Sequence, residues 1–149
     1  MRKFCWLLII ILLVTPFTAC NTGQDKMDAE TVIMEYFETI KAGDFVSALD
    51  YYSKEFYEEE ISKSEMLQIL EGVNERLGDL EFYALKNDNI SITNIVAGPD
   101  KGKRIVNCRL VYDTTYSKNT ATETYLMVKG DDGVFAIRGF NINSLGLLK

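Results

Sequence analysis

The sequence of 149 residues contains no histidine. That absence excludes Ser-His-Asp hydrolysis, Cys-His catalysis and the HExxH type of zinc site, because histidine is the base or the metal ligand in each of them. Proline is also rare, with two residues, and basic side chains are outnumbered by acidic ones, 16 against 22. Nucleic acid is therefore not expected as a partner, since its phosphates attract a basic protein face.

No apolar run in the sequence is long enough to span a bilayer, which takes about 20 residues. The longest run, FCWLLIIILLV at Phe4–Val14, follows two basic residues and is typical of a secretory signal. The next segment, Phe17–Cys20 (FTAC), resembles a bacterial lipobox, in which the cysteine is diacylated and becomes the mature N-terminus. The resemblance implies a lipoprotein signal peptide over 1–19 and lipidation of Cys20. An ordinary secretory signal is the alternative.

Lipidation of Cys20 would leave Cys108 as the lone free cysteine of the mature chain, so no intramolecular disulfide is expected. We expect 20–27 to be the lipidated cysteine and a polar tether, with the membrane as a partner through the acyl chains alone. The chain would then be exported and lipid-anchored at the bacterial cell membrane. Asn21 after the cysteine favours the outer membrane if the source is Gram-negative.

The sequence after the tether predicts three helices. Asp28 is expected to be the N-cap of the first, and the Gly43-Asp44 step to separate it from the second. A capping box at Ser62–Glu65 predicts the start of the third helix, which Gly78 ends. The acidic segment between them, Glu55–Glu60, is interpreted as a turn.

From Leu80 onward the apolar period changes to two, which is typical of strands. The predicted strands are Leu80–Leu85, Ile90–Val96, Arg104–Tyr116, Ala121–Lys129 and Val134–Ile142. Lys86–Asn89 is interpreted as a turn, and Gly130–Gly133 as a tight hairpin. We expect a β-bulge at Gly139, because the apolar residues before and after it have opposite parity.

Alternation along these strands divides the predicted sheet into a core face and a free face. The predicted core residues are Val32, Phe37, Phe45, Leu49, Leu70, Leu110, Leu126 and Ile137. The candidate interaction residues of the free face are Arg109, Asp113, Glu123, Tyr125 and Arg138. Arg109, Glu123 and Arg138 fall on successive strands and predict a charge ladder. An anion site between the two arginines is the alternative. The face is expected either to be exposed to solvent or to pair two copies as a homodimer.

Helices followed by a meander of strands predict an α+β domain over 28–149, with three N-terminal helices packed on one face of a curved antiparallel sheet of four to six strands. The run TIKAGDFVSALDYYSKEF resembles the helix pair of nuclear transport factor two-like (cystatin-superfamily) domains. The ending YLMVKGDDGVFAIRGFNI is similar to the final hairpin of small bacterial lipoproteins in that superfamily. The resemblance covers 28–142 and implies a fold with a concave sheet face, without implying one activity.

Neither a metal ion nor a cofactor is expected. The acidic runs Asp131-Asp132 and Glu58–Glu60 lack the spacing of a calcium loop, and Cys108 has the parity of a buried residue. No catalytic residue is assigned. The preferred hypothesis is a lipid-anchored, non-catalytic binding or assembly module of the bacterial cell envelope. It would hold a small apolar ligand in the cone between helices and sheet, or an envelope protein on the open sheet face.

The alternative hypothesis is a small enzyme of the isomerase or dehydratase kind, which would use an acid and a tyrosine in the cone. A buried carboxylate within hydrogen-bond reach of a tyrosine would favour it. The tyrosines considered are Tyr36, Tyr52, Tyr83, Tyr112 and Tyr116. A cone filled by its own side chains would exclude both kinds of ligand and leave the protein partner.

Overall fold

The computed structural model describes residues 21–147, in which helices come first and a four-stranded antiparallel sheet follows. The helices are α1 (Asn21–Lys41), α2 (Phe45–Ala48), α3 (Lys54–Glu59) and α4 (Lys63–Leu77). The strands are β1 (Leu80–Asn94), β2 (Arg104–Tyr116), β3 (Thr120–Lys129) and β4 (Phe135–Asn143). Short 3₁₀ turns lie at Leu49–Tyr51 and Leu145–Leu147. The predicted signal peptide and Cys20 lie outside the described residues.

The strands follow one another across the sheet in the order β1-β2-β3-β4, so the predicted α+β class and meander are confirmed. The core lies between the sheet and α1, α2 and α4. Five predicted core residues are buried: Phe37, Leu49, Leu70, Leu110 and Ile137. Val32 and Phe45 are half-buried against them. Within residues 21–147, none of the helices combines the length and apolarity that crossing a bilayer demands.

The first helix begins earlier than the sequence predicts. Residues 21–27 form its first turns, so the prediction of a polar tether there and of an N-cap at Asp28 is wrong. The helix extends to these residues because Asp25 is buried and accepts hydrogen bonds from Arg104 and Lys129, each over 2.8 Å. These charge-assisted bonds hold the start of α1 against the sheet.

The helix boundaries predicted at Gly43-Asp44, Ser62–Glu65 and Gly78 are present. The side chain of Asp44 accepts from the backbone N–H of Ser47 and caps α2. Ser62 and Glu65 form the capping box of α4, with both of its hydrogen bonds. Gly78 ends α4 with a φ of +86°, a conformation that glycine adopts without steric cost.

A fourth helix, α3, replaces the turn predicted at Glu55–Glu60. Its N-cap is Ser53, whose hydroxyl accepts from the backbone N–H of Phe56. Phe56 is buried and packs against Tyr52 with tilted rings, whose centroids are 4.9 Å apart. The acidic residues of this short helix thus face solvent, while Phe56 packs into the core.

The first strand is continuous, so the prediction of two strands and a turn at Lys86–Asn89 is wrong. All four residues belong to β1, which pairs with β2 along its whole length. A β-bulge between Leu85 and Asn87 absorbs the irregularity. Asp88 also gains a partner that the local sequence does not reveal, since Lys26 of α1 donates to it over 2.8 Å.

The alternation in β3 is opposite to the prediction. Leu110 and Tyr112 face the core from β2, and they pair directly with Tyr125 and Glu123. Residues directly opposite one another share a face of the sheet, so Glu123 and Tyr125 point into the core. Their predicted place on the free face is wrong. The predicted core position of Leu126 is also wrong, since its side chain is 49% exposed.

The predicted β-bulge in β4 is present. Leu126 pairs with Gly139 and Met127 pairs with Ile137, which leaves Arg138 as the additional residue. The bulge resets the alternation, so both Ile137 and Phe140 pack against the core. The predicted charge ladder of Arg109, Glu123 and Arg138 does not exist, because Glu123 lies on the other side of the sheet.

Candidate functional site

A buried carboxylate lies at the centre of the core. Glu123 is 4% exposed and accepts three hydrogen bonds from hydroxyl groups. Thr114 and Tyr116 donate to its Oε1 over 2.8 and 2.7 Å, and Tyr125 donates to its Oε2 over 2.5 Å. We call these four residues the Glu123 cluster. Adjacent strands position it, with two residues from β2 and two from β3 on one face.

A second pair of hydroxyl groups lies beside the cluster. Tyr36 of α1 and Tyr52 hydrogen-bond to each other over 3.1 Å, and both are buried. The rings of Tyr36 and Tyr125 meet edge-on, with centroids 5.6 Å apart. The helices therefore close over the cluster with aromatic side chains that carry their own polar contacts.

The tyrosines of the cluster act as hydrogen-bond donors at neutral pH. Burial raises the pKa of Tyr116, and the negative charge of Glu123 raises it further. The same two causes raise the pKa of Tyr125. Because a carboxylate accepts about four hydrogen bonds, three bound donors leave Glu123 with roughly one free acceptor position.

The cavity beside the Glu123 cluster is small. Its volume is about 20 Å³, and its wall is mostly apolar. The lining side chains outside the cluster include Ile40, Phe45, Leu70, Val73, Asn74, Phe140 and Ile142. A cavity of this size holds about one water molecule. Binding sites for small molecules are larger, about 300–1,000 Å³. The cone is therefore filled by its own side chains.

The other candidate tyrosines do not meet a buried acid. Tyr83 donates to Glu38 over 2.9 Å, but this contact is exposed. Tyr112 packs edge-on against Phe37, with 5.1 Å between the ring centroids. Tyr116 is thus the residue for which the sequence criterion of the enzyme hypothesis is met.

The open face of the sheet carries the remaining candidate interaction residues. Arg109 and Asp113 are exposed there, and Arg138 is half-buried. Asp113 accepts from Lys86 over 3.0 Å and from Thr122 over 2.8 Å, and these contacts lower its pKa. Their interaction role stays a prediction.

Two grooves run across this face, with volumes of about 530 and 270 Å³. Both are lined by Arg109, Leu126 and Arg138, which we call the open-face row. Leu126 pairs with Arg109 on one side and with Gly139, next to Arg138, on the other. The Arg138 guanidinium contacts Glu59 of α3. Among the described residues, Arg109 takes part in none of the ion pairs.

Metal-binding groups are not assembled in this part of the chain. Within residues 21–147, no three acidic or cysteine side chains come together as metal ligands would. Cys108 is buried, as predicted, and burial raises the pKa of its thiol to about 11. A thiol with that pKa stays protonated at neutral pH and is a poor nucleophile.

No protein-family model matches the chain, and no curated protein matches its sequence. Among solved structures, ActVI-ORFA from Streptomyces coelicolor is similar to it, with a TM-score of 0.49 and 11% sequence identity. The match covers 83% of this chain and 96% of that chain. Similarity of this degree carries no conclusion about function, and membership of the nuclear transport factor two-like superfamily stays a prediction from the sequence.

Proposed function

We propose that the chain is a lipid-anchored, non-catalytic assembly module of the bacterial cell envelope, and that it binds a protein partner on the open face of its sheet. One contrast supports this proposal above the others. The interior cavity measures about 20 Å³, whereas the larger groove on the open face measures about 530 Å³. A metabolite does not fit in the first, but side chains of another protein fit in the second.

The open-face row has a composition suited to such an interface. Arginine is enriched in protein interfaces, where it combines hydrogen bonding with a broad apolar stem. Leu126, at 49% exposure, offers apolar surface between the two arginines. A partner that covers Leu126 and presents a carboxylate to Arg109 would bury the apolar surface and pair the charge at once.

The anchor is the second part of the proposal, and its support is the lipobox-like segment that ends at Cys20. Because α1 begins at Asn21, the acyl chains would be attached directly to a folded helix. Two or three acyl chains give stable attachment, whereas one gives marginal binding. Mass spectrometry of the membrane-extracted protein tests this part. An unmodified Cys20, or cleavage elsewhere, would contradict it.

A pull-down from the native membranes tests the protein partner. We expect the Leu126→Asp variant to lose a protein that the wild-type chain recovers, because the new charge would be buried at the interface without a partner. Met34→Asp is the matched control, since Met34 on α1 has the same exposure of 49%. Equal recovery by the two variants would contradict a role for the open face.

A second copy of the chain is the alternative partner on the same face. Light scattering of the detergent-solubilised lipoprotein separates the two cases. A dimer that the Leu126→Asp change dissociates would identify the partner as a second copy. A monomer, together with a heterologous protein in the pull-down, would support an envelope protein.

A small acid-base enzyme remains the second candidate function, and one contact favours it: Tyr116 lies 2.7 Å from the buried carboxylate of Glu123. Catalysis would require the cavity to widen so that a substrate reaches the remaining acceptor position of Glu123. We would then expect a small molecule to co-purify with the wild-type chain. A Val73→Phe variant, whose larger side chain narrows the cavity, should carry no small molecule through purification. Absence of any small molecule from the wild-type chain would contradict this candidate.

A further inference from the structure

We infer that the domain rests on the lipid bilayer through one end of its sheet, where the tips of two hairpins lie beside the start of α1. This inference rests on the proposed lipid anchor at Cys20. It adds the orientation of the domain and the surface that touches the lipid.

The proposed anchor would leave the domain at the end of the sheet where β2 begins and β3 ends. Asp25 bonds to Arg104, the first residue of β2, and to Lys129, the last residue of β3. Asn21 lies four residues before Asp25 in the same helix, a distance of about 6 Å along the axis. The acyl chains on Cys20 would therefore emerge at this end of the sheet.

Two hairpin turns lie at the same end of the sheet. The β1–β2 turn projects from the same end, because Ile95 and Lys103 still pair, with 2.9 Å from the N–H of Ile95 to the carbonyl of Lys103. The β3–β4 turn follows directly on Lys129 and closes through a 2.8 Å bond from Gly130 to Val134. Both turns thus lie beside the start of α1.

The two hairpin tips carry exposed apolar side chains. Val96 is 79% exposed and Val134 is 58% exposed. Single exposed apolar residues are ordinary on proteins, so exposure alone indicates nothing. Here two valines project from the end that an acylated residue would hold against the membrane. Each can enter the boundary between headgroups and acyl chains, where apolar side chains gain free energy.

Acidic and basic side chains are both present at this end. Asp25 pairs with Arg104 and Lys129, and Asp100 pairs with Lys103 over 2.8 Å, whereas Asp131 and Asp132 of the β3–β4 turn belong to none of these ion pairs. A chain with a formal charge of −6 would be repelled by anionic headgroups over much of its surface, and the ion pairs of Asp25 and Asp100 lower that repulsion at this end.

This orientation would leave the open-face row accessible to a protein partner. Because the ends of the strands would meet the bilayer, both faces of the sheet would lie roughly parallel to the membrane normal. Arg109 and Leu126 would then be turned sideways, where an envelope protein can reach them.

Tryptophan fluorescence tests the docking surface. The single tryptophan of the sequence, Trp6, belongs to the signal peptide that the proposed function removes. The Val96→Trp and Val134→Trp variants of the full chain would therefore each carry one reporter after processing. Leu145→Trp is the matched control, since Leu145 is 80% exposed and follows β4 at the opposite end of the sheet.

The lipidated variants are reconstituted into vesicles of phosphatidylcholine and phosphatidylglycerol, with and without brominated acyl chains. We expect blue-shifted emission and about twofold quenching by bromine at positions 96 and 134, and neither at 145. Water-like emission and equal quenching at all three positions would overturn the docking surface. Membrane fractionation of the same samples reports the anchor separately. A chain that stays in the aqueous fraction with an unmodified Cys20 would overturn both proposals.

Discussion

The hydroxyl of Tyr116 donates to Oε1 of Glu123 over 2.7 Å, across the two central strands of the sheet. Both residues are buried, and Glu123 has hydroxyl donors rather than a cation around its carboxylate. A buried charge is costly unless it is hydrogen-bonded. The cluster therefore makes the folded state depend on hydroxyl groups that β2 and β3 bring together.

Loss of one of these hydroxyls should be measurable. We expect Tyr116→Phe to lower the free energy of unfolding by about 1–3 kcal/mol, because a charged acceptor loses a buried donor. Tyr83→Phe is the control, since its hydroxyl contacts Glu38 at the surface, and we expect a change within about 0.5 kcal/mol. Urea denaturation measures both. Equal effects would show that burial of the Glu123 cluster does not matter for stability.

Truncation of two neighbouring residues on β3 should change the free energy of unfolding by very different amounts. Met127 is 1% exposed, so Met127→Ala should cost about 2–5 kcal/mol through lost burial and a residual cavity. Leu126 points to the open face, so Leu126→Ala should stay within about 0.5 kcal/mol. Denaturant melts of the two variants decide the matter, and a costly Leu126→Ala with a neutral Met127→Ala would reverse the faces assigned to β3.

The contacts of Asp25 should make stability depend on pH in the acid range. Burial by itself raises the pKa of Asp25, but the bonds from Lys129 and Arg104 outweigh it, so the pKa lies below the ordinary 3.8. The ionised carboxylate therefore stabilises the fold above pH 3.8, and this contribution is lost as the pH falls through the lowered value.

We expect Asp25→Asn to lower the free energy of unfolding by about 1–3 kcal/mol at neutral pH and by less in acid. Asp100→Asn, which removes an exposed pair with Lys103, should change it within about 0.5 kcal/mol at any pH. Thermal and urea melts across the acid range provide the measurement. A deficit of Asp25→Asn that stays constant with pH would contradict the assignment.

Two glycines near α4 should differ sharply on substitution. A Cβ on Gly78 would lie 2.0 Å from the hydroxyl oxygen of Ser117, and the residue has a positive φ. Gly78→Ala should therefore cost about 1–3 kcal/mol. Gly72, within α4, has open space around its Cβ position, and Gly72→Ala should stabilise by up to about 1 kcal/mol. Melting temperatures that shift in the same direction would contradict this distinction.

Local patterns predicted those elements whose contacts close within a few residues. The break between helices at Gly43-Asp44, the Ser62–Glu65 capping box and the Gly130–Gly133 turn are all present as expected. In each of them, the donor and the acceptor are neighbours in the chain, so the residue types alone indicate the conformation. The helix-then-strand order that follows from them predicted the α+β class.

Local patterns failed where a distant partner decides the conformation. Residues 21–27 are mostly polar, yet Asp25 is buried because Arg104 and Lys129 donate hydrogen bonds to it. These two partners lie 79 and 104 residues further along the chain. Lys86–Asn89 has the composition of a turn, yet pairing with β2 keeps it extended. No window of the sequence contains these partners.

The sequence by itself determined the capping box of α4, the turn between β3 and β4, the long β2 strand and the absence of histidine chemistry, because each depends on residue type or on near neighbours. Only the tertiary structure decided which side of β3 faces the core. Apolar residues occur at both parities in its second half, Tyr125 and Met127 at one and Leu126 and Val128 at the other, so alternation alone is ambiguous. Pairing of Leu110 with Tyr125 settles it, since directly opposed residues share a face, and that pairing carries Glu123 into the core and Leu126 to the surface.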